Sequence, residues 1–324
     1  MPDLILVIGE SEDAQLRLVV ETLRAHRAPF LFLDLGDPGD FSLTLDASGP
    51  PRVYWEACEF RVAAIWSRIK LPVTLGESLQ RGDAFLRESE WMSFASGLSF
   101  LFSGVAIHPI GGTKAYNKIA QLEMARQAGF DIPPTSAFLG KAAAVRFFEG
   151  RTNVALKAIN TPRLAHPTLS SAMDPLITTN ISLNDVQSAD DGEFAICPVM
   201  FQELIAGVDE FRVIAIGDDV YSYRVVDAPN VPTLLDRRIM RPTYQRMPAD
   251  ARISSLARKY LDLAALHYGV FDLLVDAERC IFLECNPEGQ WHSANEINVA
   301  EVIESFSRHV ERFSASTLAN AGKL

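Results

Sequence analysis

A chain of 324 residues with 41 acidic against 30 basic side chains has a formal net charge of −11; 48% of its residues are apolar, 22% charged and 9% aromatic. That composition excludes whole-chain disorder and supplies core for about two or three structural units. An acidic chain without a block of Lys and Arg excludes nucleic acid as a general partner, and no run reaches the roughly 18–20 apolar residues of a membrane-spanning helix.

Leu4 to Ile8 is a continuous apolar run ending in Gly9, with no basic segment before it and acids after it, unlike a signal peptide. Leu16, Val19, Val20 and Leu23 then fall at helical spacing before Pro29, and Phe30 to Leu33 is apolar again. Strand, helix and strand in that order predict an α/β layer with parallel pairing. Gly and Pro interrupt the stretch 34–51 around a short strand at Phe41 to Leu45. Val62 to Trp66 is a further strand, Asp83 to Phe102 is helical, and His108-Pro109-Ile110-Gly111-Gly112 closes a first unit, 1–110.

The second unit, 111–201, opens with a helix. Ile119, Leu122, Ala125 and Ala128 share a stripe, Asn117 or Thr113 caps the start, and Gly129 with Pro133 and Pro134 stops it. Lys118 sits in the first turn, where a cation opposes the helix dipole, which points to an anionic partner. Lys157 lies in a strand at Val154 to Ala158, a polar stretch runs to Asn184, and Val199 to Gln202 is the next strand.

In the third unit, 202–324, Arg212 to Ile216 and Val220 to Val226 flank Gly217-Asp218-Asp219 as a hairpin. A helix over 251–267 carries Ile253, Leu256, Ala257, Tyr260, Leu261 and Ala264 on one face and is ended by Gly269. Val270 to Val275 and Cys280 to Leu283 form a second hairpin around Asp276 to Arg279. The four cysteines, Cys58, Cys197, Cys280 and Cys285, have neither CxxC nor metal-finger spacing and read as reduced, mostly buried thiols of a cytoplasmic protein. His108, His166, His267 and His292 have no zinc or triad spacing and read as packing or surface residues.

Chemistry concentrates in Asp272, Glu284 and Asn286. Asp272 lies inside an apolar strand and Glu284 follows Ile281-Phe282-Leu283, so each charge needs a cation or a metal. Glu284 and Asn286 share one side of their strand; Asp272 joins them only if the hairpin pairs it with Glu284, which an odd loop such as Ala277 to Arg279 would achieve. Three such oxygens suit Mg²⁺; a structural ion pair with a nearby arginine is the competing reading. Lys118 and Lys157 are candidates for nucleotide phosphates in a chain with no Walker-type loop, against the alternative of a solvated edge lysine at 157. Glu210 would accept ribose hydroxyls or be a solvated turn acid, and Arg212 would neutralise a transferred phosphoryl group.

Taken in order, these residues resemble the ATP-grasp ligase superfamily over about 105–300. Lys118 in a helix precedes Gly129 and Ile132-Pro133-Pro134-Thr135, Lys157 in a strand, and Gln202-Glu203-Leu204-Ile205. Glu210-Phe211-Arg212 follows, then Asp272 twelve residues before Glu284-Cys285-Asn286-Pro287. Within the superfamily the sequence is most similar to the microviridin-type (graspetide) peptide-modifying ligases. That likeness rests on Ile65-Trp66-Ser67-Arg68, Glu88-Ser89-Glu90, Asn117 to Leu122, Thr178-Thr179-Asn180 and Asn286-Pro287-Glu288-Gly289-Gln290-Trp291. The resemblance implies an ATP-grasp fold, α/β (α+β), with an N-terminal pre-ATP-grasp domain and two α+β lobes clasping ATP.

By the same resemblance Lys118 and Lys157 would hold phosphates, and the hinge Gln202, Glu203, Leu204 and Ile205 would read adenine. Glu210 would take the ribose, Arg212 and the weaker candidate Arg224 would meet the phosphoryl group, and Asp272, Glu284 and Asn286 would hold two Mg²⁺, with Mn²⁺ as the alternative ion. The segment after Lys157 lacks the Gly-rich loop of many relatives, Trp66-Ser67-Arg68-Ile69 stands where Trp-Tyr-Arg-Arg is usual, and the first strand ends in Gly9-Glu10-Ser11-Glu12. The implied activity is ATP-dependent carboxylate–amine or carboxylate–hydroxyl ligation through an acyl phosphate. Its implied substrate is a ribosomal precursor peptide with a leader, or else a small carboxylate or a peptide end, and a homodimer is among the allowed assemblies. The rival class is a non-catalytic nucleotide-binding protein.

Overall fold

The computed structural model describes residues 1–47, 49–69, 81–107, 113–159, 178–226, 242–291 and 299–321. The expected end of the first unit at 108–112, the segment 160–177 and His292 lie outside the described residues. β1 (Asp3–Gly9) leads into α1 (Ala14–Ala25), whose first N–H groups at Gln15 and Leu16 donate to the Asp13 side chain. β2 (Phe30–Asp34) and β5 (Cys58–Arg68) flank β1 in parallel, as the strand–helix–strand pattern predicts.

β3 (Phe41–Thr44) and β4 (Arg52–Trp55) extend this sheet antiparallel, giving the order β2-β1-β5-β4-β3. The sequence pattern missed β4 because its turn into β5 is made by Glu56 and Ala57 at positive φ, where Asn or Gly would normally signal a hairpin. α2 (Arg81–Leu101) covers one face of the sheet, with Ala95 and Leu98 against Leu6, Ile8 and Ile65.

A second five-stranded sheet has the order β12-β11-β10-β13-β14. Its strands are β10 (Asp209–Ile216), β11 (Asp219–Val225), β12 (Tyr244–Met247), β13 (Tyr268–Val275) and β14 (Cys280–Asn286). One face is packed by α8 (Ala251–Ala264) and α4 (Lys118–Ala128), which put Tyr260, Leu261, Leu122 and Ala125 against Val213, Phe271 and Phe282. The other face, with Ile214, Tyr223, Tyr268 and Val270, packs on α9 (Val299–Ala321) and through it on α1 and Trp66 of the first sheet. Thus α4, the opening helix of the expected 111–201 unit, lies on the sheet of the expected third unit.

Several local expectations are corrected. Ile119 is 47% exposed, and the buried stripe of α4 runs through Gln121, Leu122, Met124, Ala125 and Ala128 instead. Asn117 does cap α4, and Gly129 ends it at φ 100°, a left-handed conformation that only glycine adopts cheaply. Ala265, left-handed at φ 55°, ends α8, while Gly269 is already inside β13. Only Cys280 and Cys285 are buried; Cys58 and Cys197 are exposed, and all four are free thiols.

A third, four-stranded sheet has the order β6-β9-β7-β8, from β6 (Thr135–Phe138), β7 (Val154–Lys157), β8 (Thr179–Ile181) and β9 (Val199–Glu203). Its own small core joins Phe201 and Val154 to Ala144 and Phe147 of α5 (Lys141–Phe147) and to Val186 of α6 (Leu183–Ser188). Among the described residues no helix is long and apolar enough to cross a membrane.

An ionic clamp ties the two ends of the chain together. His26, at the C-terminus of α1, has its ring nitrogens 2.6 Å from Glu311 and 3.0 Å from Glu304 on α9, and Arg308 lies 2.6 Å from Glu304. Both ring nitrogens face carboxylate oxygens, so the imidazolium is favoured: the bond to Glu311 raises the pKa most, partial burial opposes it, and Glu304 adds to the rise. Since the folded value lies above the unfolded 6.5, the stabilisation is complete below about pH 6.5 and is lost as the pH rises through the folded value. Between about pH 6 and about pH 9, urea unfolding should show the wild type losing up to about 1 kcal/mol relative to His26→Gln. Equal pH slopes for the two proteins would contradict this clamp.

Candidate active site

The hairpin β13–β14 does not have the odd loop that the sequence argument calls for. Val275 pairs with Cys280, leaving the four residues Asp276 to Arg279 in the turn, and Leu273 pairs with Phe282. The register then shifts: Leu283 is an extra residue, and Asp272 pairs with Glu284. This β-bulge resets the alternation of β14. Phe282 and Cys285 both face the core under α4 and α8, while Glu284 leaves from the opposite face together with Asp272. The predicted pairing therefore holds, by a bulge instead of by loop parity.

One register row consequently crosses the whole sheet: Arg246 on β12, Tyr223 on β11, Arg212 on β10, Asp272 on β13 and Glu284 on β14. Arg212 donates from Nη1 to Asp272 Oδ1 at 2.8 Å and from Nη2 to the Gln290 carbonyl at 3.0 Å. Burial works against the Arg212 charge, but Asp272 and then Glu284 outweigh it and its pKa is raised. Glu210 precedes Arg212 by two residues and shares its face of β10.

Lys118 at the start of α4 lies 3.0 Å from Glu284 and is only 12% exposed. Its backbone N–H donates to the carbonyl of Ile159 at 2.8 Å, two residues beyond Lys157, which brings both lysines to one place. Lys157 donates to Gln202 Oε1 at 2.6 Å, and the Gln202 amide nitrogen donates to Thr135 at 3.0 Å. Burial first, and then the neighbouring Lys118 ammonium, depress the Lys157 pKa to about 8, while Glu284 and Asp272 pull it up. Burial pushes the Glu284 carboxyl up, but Lys118, Lys157 and Arg212 together hold it below its ordinary value.

The hinge residues divide their roles. Gln202, fully buried, tethers Lys157, and Glu203 pairs with Arg151 at 3.2 Å. The Leu204 N–H donates to Asn153, whereas among the described residues the Ile205 N–H meets no acceptor. Asn286 accepts the N–H of Glu288 on its side-chain oxygen, opening the turn that Gly289 completes; a β-carbon at Gly289 would collide with Val270. Arg224 is not brought to the cluster: it pairs with Phe211, one residue out of step with Arg212, so it leaves from the other face and donates to Gln245 at 2.9 Å. Among the described residues no three His, Cys, Asp or Glu side chains gather as a metal cluster, and the predicted set takes its third oxygen from Asn286.

Sequence reasoning missed the residues that hold this site. Gln121 on α4 donates to the carbonyls of Ala115 and Cys285, both at 2.8 Å, and accepts the Cys285 N–H at 3.1 Å. It thereby completes the outer edge of β14 beside Glu284. Tyr116 donates to the Glu288 side chain at 2.9 Å, and Arg68, held by Asp13, and Gln15 reach the same turn from the first unit. A buried glutamine within an amphipathic stripe is the one signal that would have marked Gln121.

No protein-family model and no curated protein matches the sequence. Solved structures do match over nearly its whole length. The macrocyclase MdnC bound with precursor peptide MdnA, from Microcystis aeruginosa MRC, is 20% identical with a TM-score of 0.73, covering 96% of this chain and 100% of that one. The ATP-grasp ligase PsnB complexed with minimal precursor is 18% identical with a TM-score of 0.75, covering 97% and 100%. A Chryseobacterium gregarium RiPP-associated ATP-grasp ligase, in complex with ADP and a leader and core peptide, is 16% identical with a TM-score of 0.74, covering 96% of each chain. The chain has the fold of these ATP-grasp ligases.

Gln121→Leu keeps the apolar packing of α4 but strands the Cys285 peptide groups. It should cost about 2–4 kcal/mol in urea unfolding, at ~1 kcal/mol or more for each buried bond lost, and should speed hydrogen exchange of the Cys285 amide. An unchanged exchange rate there would remove Gln121 from its role at the edge of β14.

Proposed function

We propose that this chain is an ATP-dependent ligase that joins a carboxylate to an amine or hydroxyl within a ribosomal precursor peptide. The observation that carries the reading is the convergence of Lys118, Lys157 and Arg212 on the paired carboxylates Asp272 and Glu284. Three cations against two carboxylates suit a polyphosphate, and two carboxylates with the amide oxygen of Asn286 are hard donors suited to Mg²⁺. Asp272, Glu284 and Asn286 would hold that ion, which when bound neutralises phosphate charge.

In this reading Lys118 and Lys157 bind the phosphates of ATP, and Gln202 fixes the direction of the Lys157 ammonium. The hinge at Glu203, Leu204 and Ile205 receives the adenine and Glu210 the ribose. Arg212, held by Asp272 and the Gln290 carbonyl, faces the phosphoryl group as the substrate carboxylate attacks it, giving an acyl phosphate and ADP. The amine or hydroxyl then displaces phosphate, and the bond forms with net loss of one water. These steps call for no covalent nucleophile. Cys285, beside Glu284, is buried on the opposite face, and burial, reinforced by Asp272 and Glu284, pushes its thiol well above the ordinary range. A peptide substrate is favoured over a small acid because the neighbours MdnC, PsnB and the Chryseobacterium ligase are each described with a precursor, leader or core peptide.

Glu284→Gln should lower ADP formation at least about a thousandfold while the circular dichroism spectrum is retained; wild-type turnover by this variant would refute the assignment. With a candidate precursor, mass spectrometry should find one water lost per bond formed, whereas residue addition would gain mass. Because Lys157 titrates near 8, it is cationic at neutral pH and neutral above that value. ADP affinity by calorimetry should therefore weaken about tenfold between about pH 7 and about pH 9.5, and Lys157→Met should abolish that dependence.

A further inference from the structure

The segment Glu288 to Trp291, which leaves β14 toward α9, is gripped from the first sheet. Arg68, at the end of β5 and 1% exposed, donates from Nη1 to the Glu288 carbonyl at 2.9 Å and from Nε to Asp13 at 3.1 Å. Gln15, in the first turn of α1 and fully buried, accepts the Trp291 N–H at 3.1 Å and points its amide nitrogen at the Gly289 carbonyl, 3.5 Å away. Asp13 uses its second oxygen to cap α1 at Gln15 and Leu16. These groups sit at the C-terminal ends of β1 and β5, which are adjacent and parallel. Open α/β sheets bind ligands outside the carboxyl ends of their strands; here that place holds the protein's own turn.

Within that turn, the Gln290 carbonyl accepts Arg212 Nη2 at 3.0 Å. With Nη1 on Asp272, the guanidinium is fixed at two points, so its plane is defined; with one point it would pivot. We infer that Gln15 and Arg68 are positioning residues for phosphoryl transfer, acting on Arg212 through the Gln290 carbonyl. This rests on the ligase reading above. Neither side chain has to touch substrate: both are buried, and their effect is carried by the backbone of 288–291.

The test uses Gln15→Met, which keeps the volume and introduces no charge, and Arg68→Lys, which leaves a cation beside Asp13 but lacks the fork that also reaches Glu288. Hydrogen exchange over 286–291 should accelerate in both. In precursor-dependent ADP formation, kcat should fall roughly 10- to 100-fold with KM for ATP within about twofold, since Lys118 and Lys157 are untouched. In an Arg212→Lys background, Gln15→Met should cause no further loss. A merely structural role would lower the unfolding midpoint and leave kcat per folded molecule unchanged, or would add its loss to that of Arg212→Lys; either result overturns the inference. Should the wild type form no ADP with any peptide, the ligase reading fails instead, and unchanged exchange over 286–291 still overturns the coupling.

Discussion

The site depends on one inserted residue. Strict alternation along β14 would send Phe282 and Glu284 to the same face, so either a carboxylate would enter the core under α4 and α8 or Phe282 would leave it. The bulge at Leu283 lets the strand satisfy both demands: Phe282 and Cys285 pack under the helices and Glu284 stands beside Asp272. Burial alone would push the Glu284 carboxyl up, and Lys118, Lys157 and Arg212, arriving from three different elements, hold it below its ordinary value instead. Lys118 at a helix N-terminus opposes the dipole, and its contact with Glu284 is what offsets that cost.

Much of this was legible in the sequence, wherever a local signal existed. The apolar spacing of Leu16, Val19, Val20 and Leu23 marks the first helix, turn chemistry the Gly217-Asp218 hairpin, and capping the Asn117 and Gly129 ends of α4, and they are found where expected. Lys157, Asp272 and Glu284 stand out by the cost of putting charge among apolar neighbours, and Lys118 by a cation that opposes the helix dipole. The turn at Glu56 and Ala57, the bulge at Leu283 and the end of α8 at Ala265 carry no such mark, because ordinary residues adopt unusual geometry there under tertiary packing. Arg224 was misjudged for the same reason: a strand has two faces, and only the pairing of Phe211 with Arg224 reveals which one it occupies.

Long-range polar contacts were the least legible. Gln121 and Gln15 are 164 and 276 residues from the backbone groups they satisfy, and the sequence does not show which groups those are. The net charge of −11 likewise conceals the site. It excludes a polyanion as a general partner, yet the cluster itself sets Lys118, Lys157 and Arg212 against Asp272 and Glu284, with the Lys157 pKa lowered by burial first and then by Lys118.

The grip on the 288–291 turn also bears on how such a protein can be recombined. The first sheet contributes Asp13, Gln15 and Arg68 to the centre of the molecule from three positions near the ends of two parallel strands, whereas its α2 and β3–β4 side packs on a separate core. A transplanted N-terminal unit would thus have an obligatory footprint: those three side chains, the aromatic contact of Trp66 with Phe306, and the face of α1 that packs on α9, His26 included. Chimeras should be cut outside that footprint and judged by whether it is preserved.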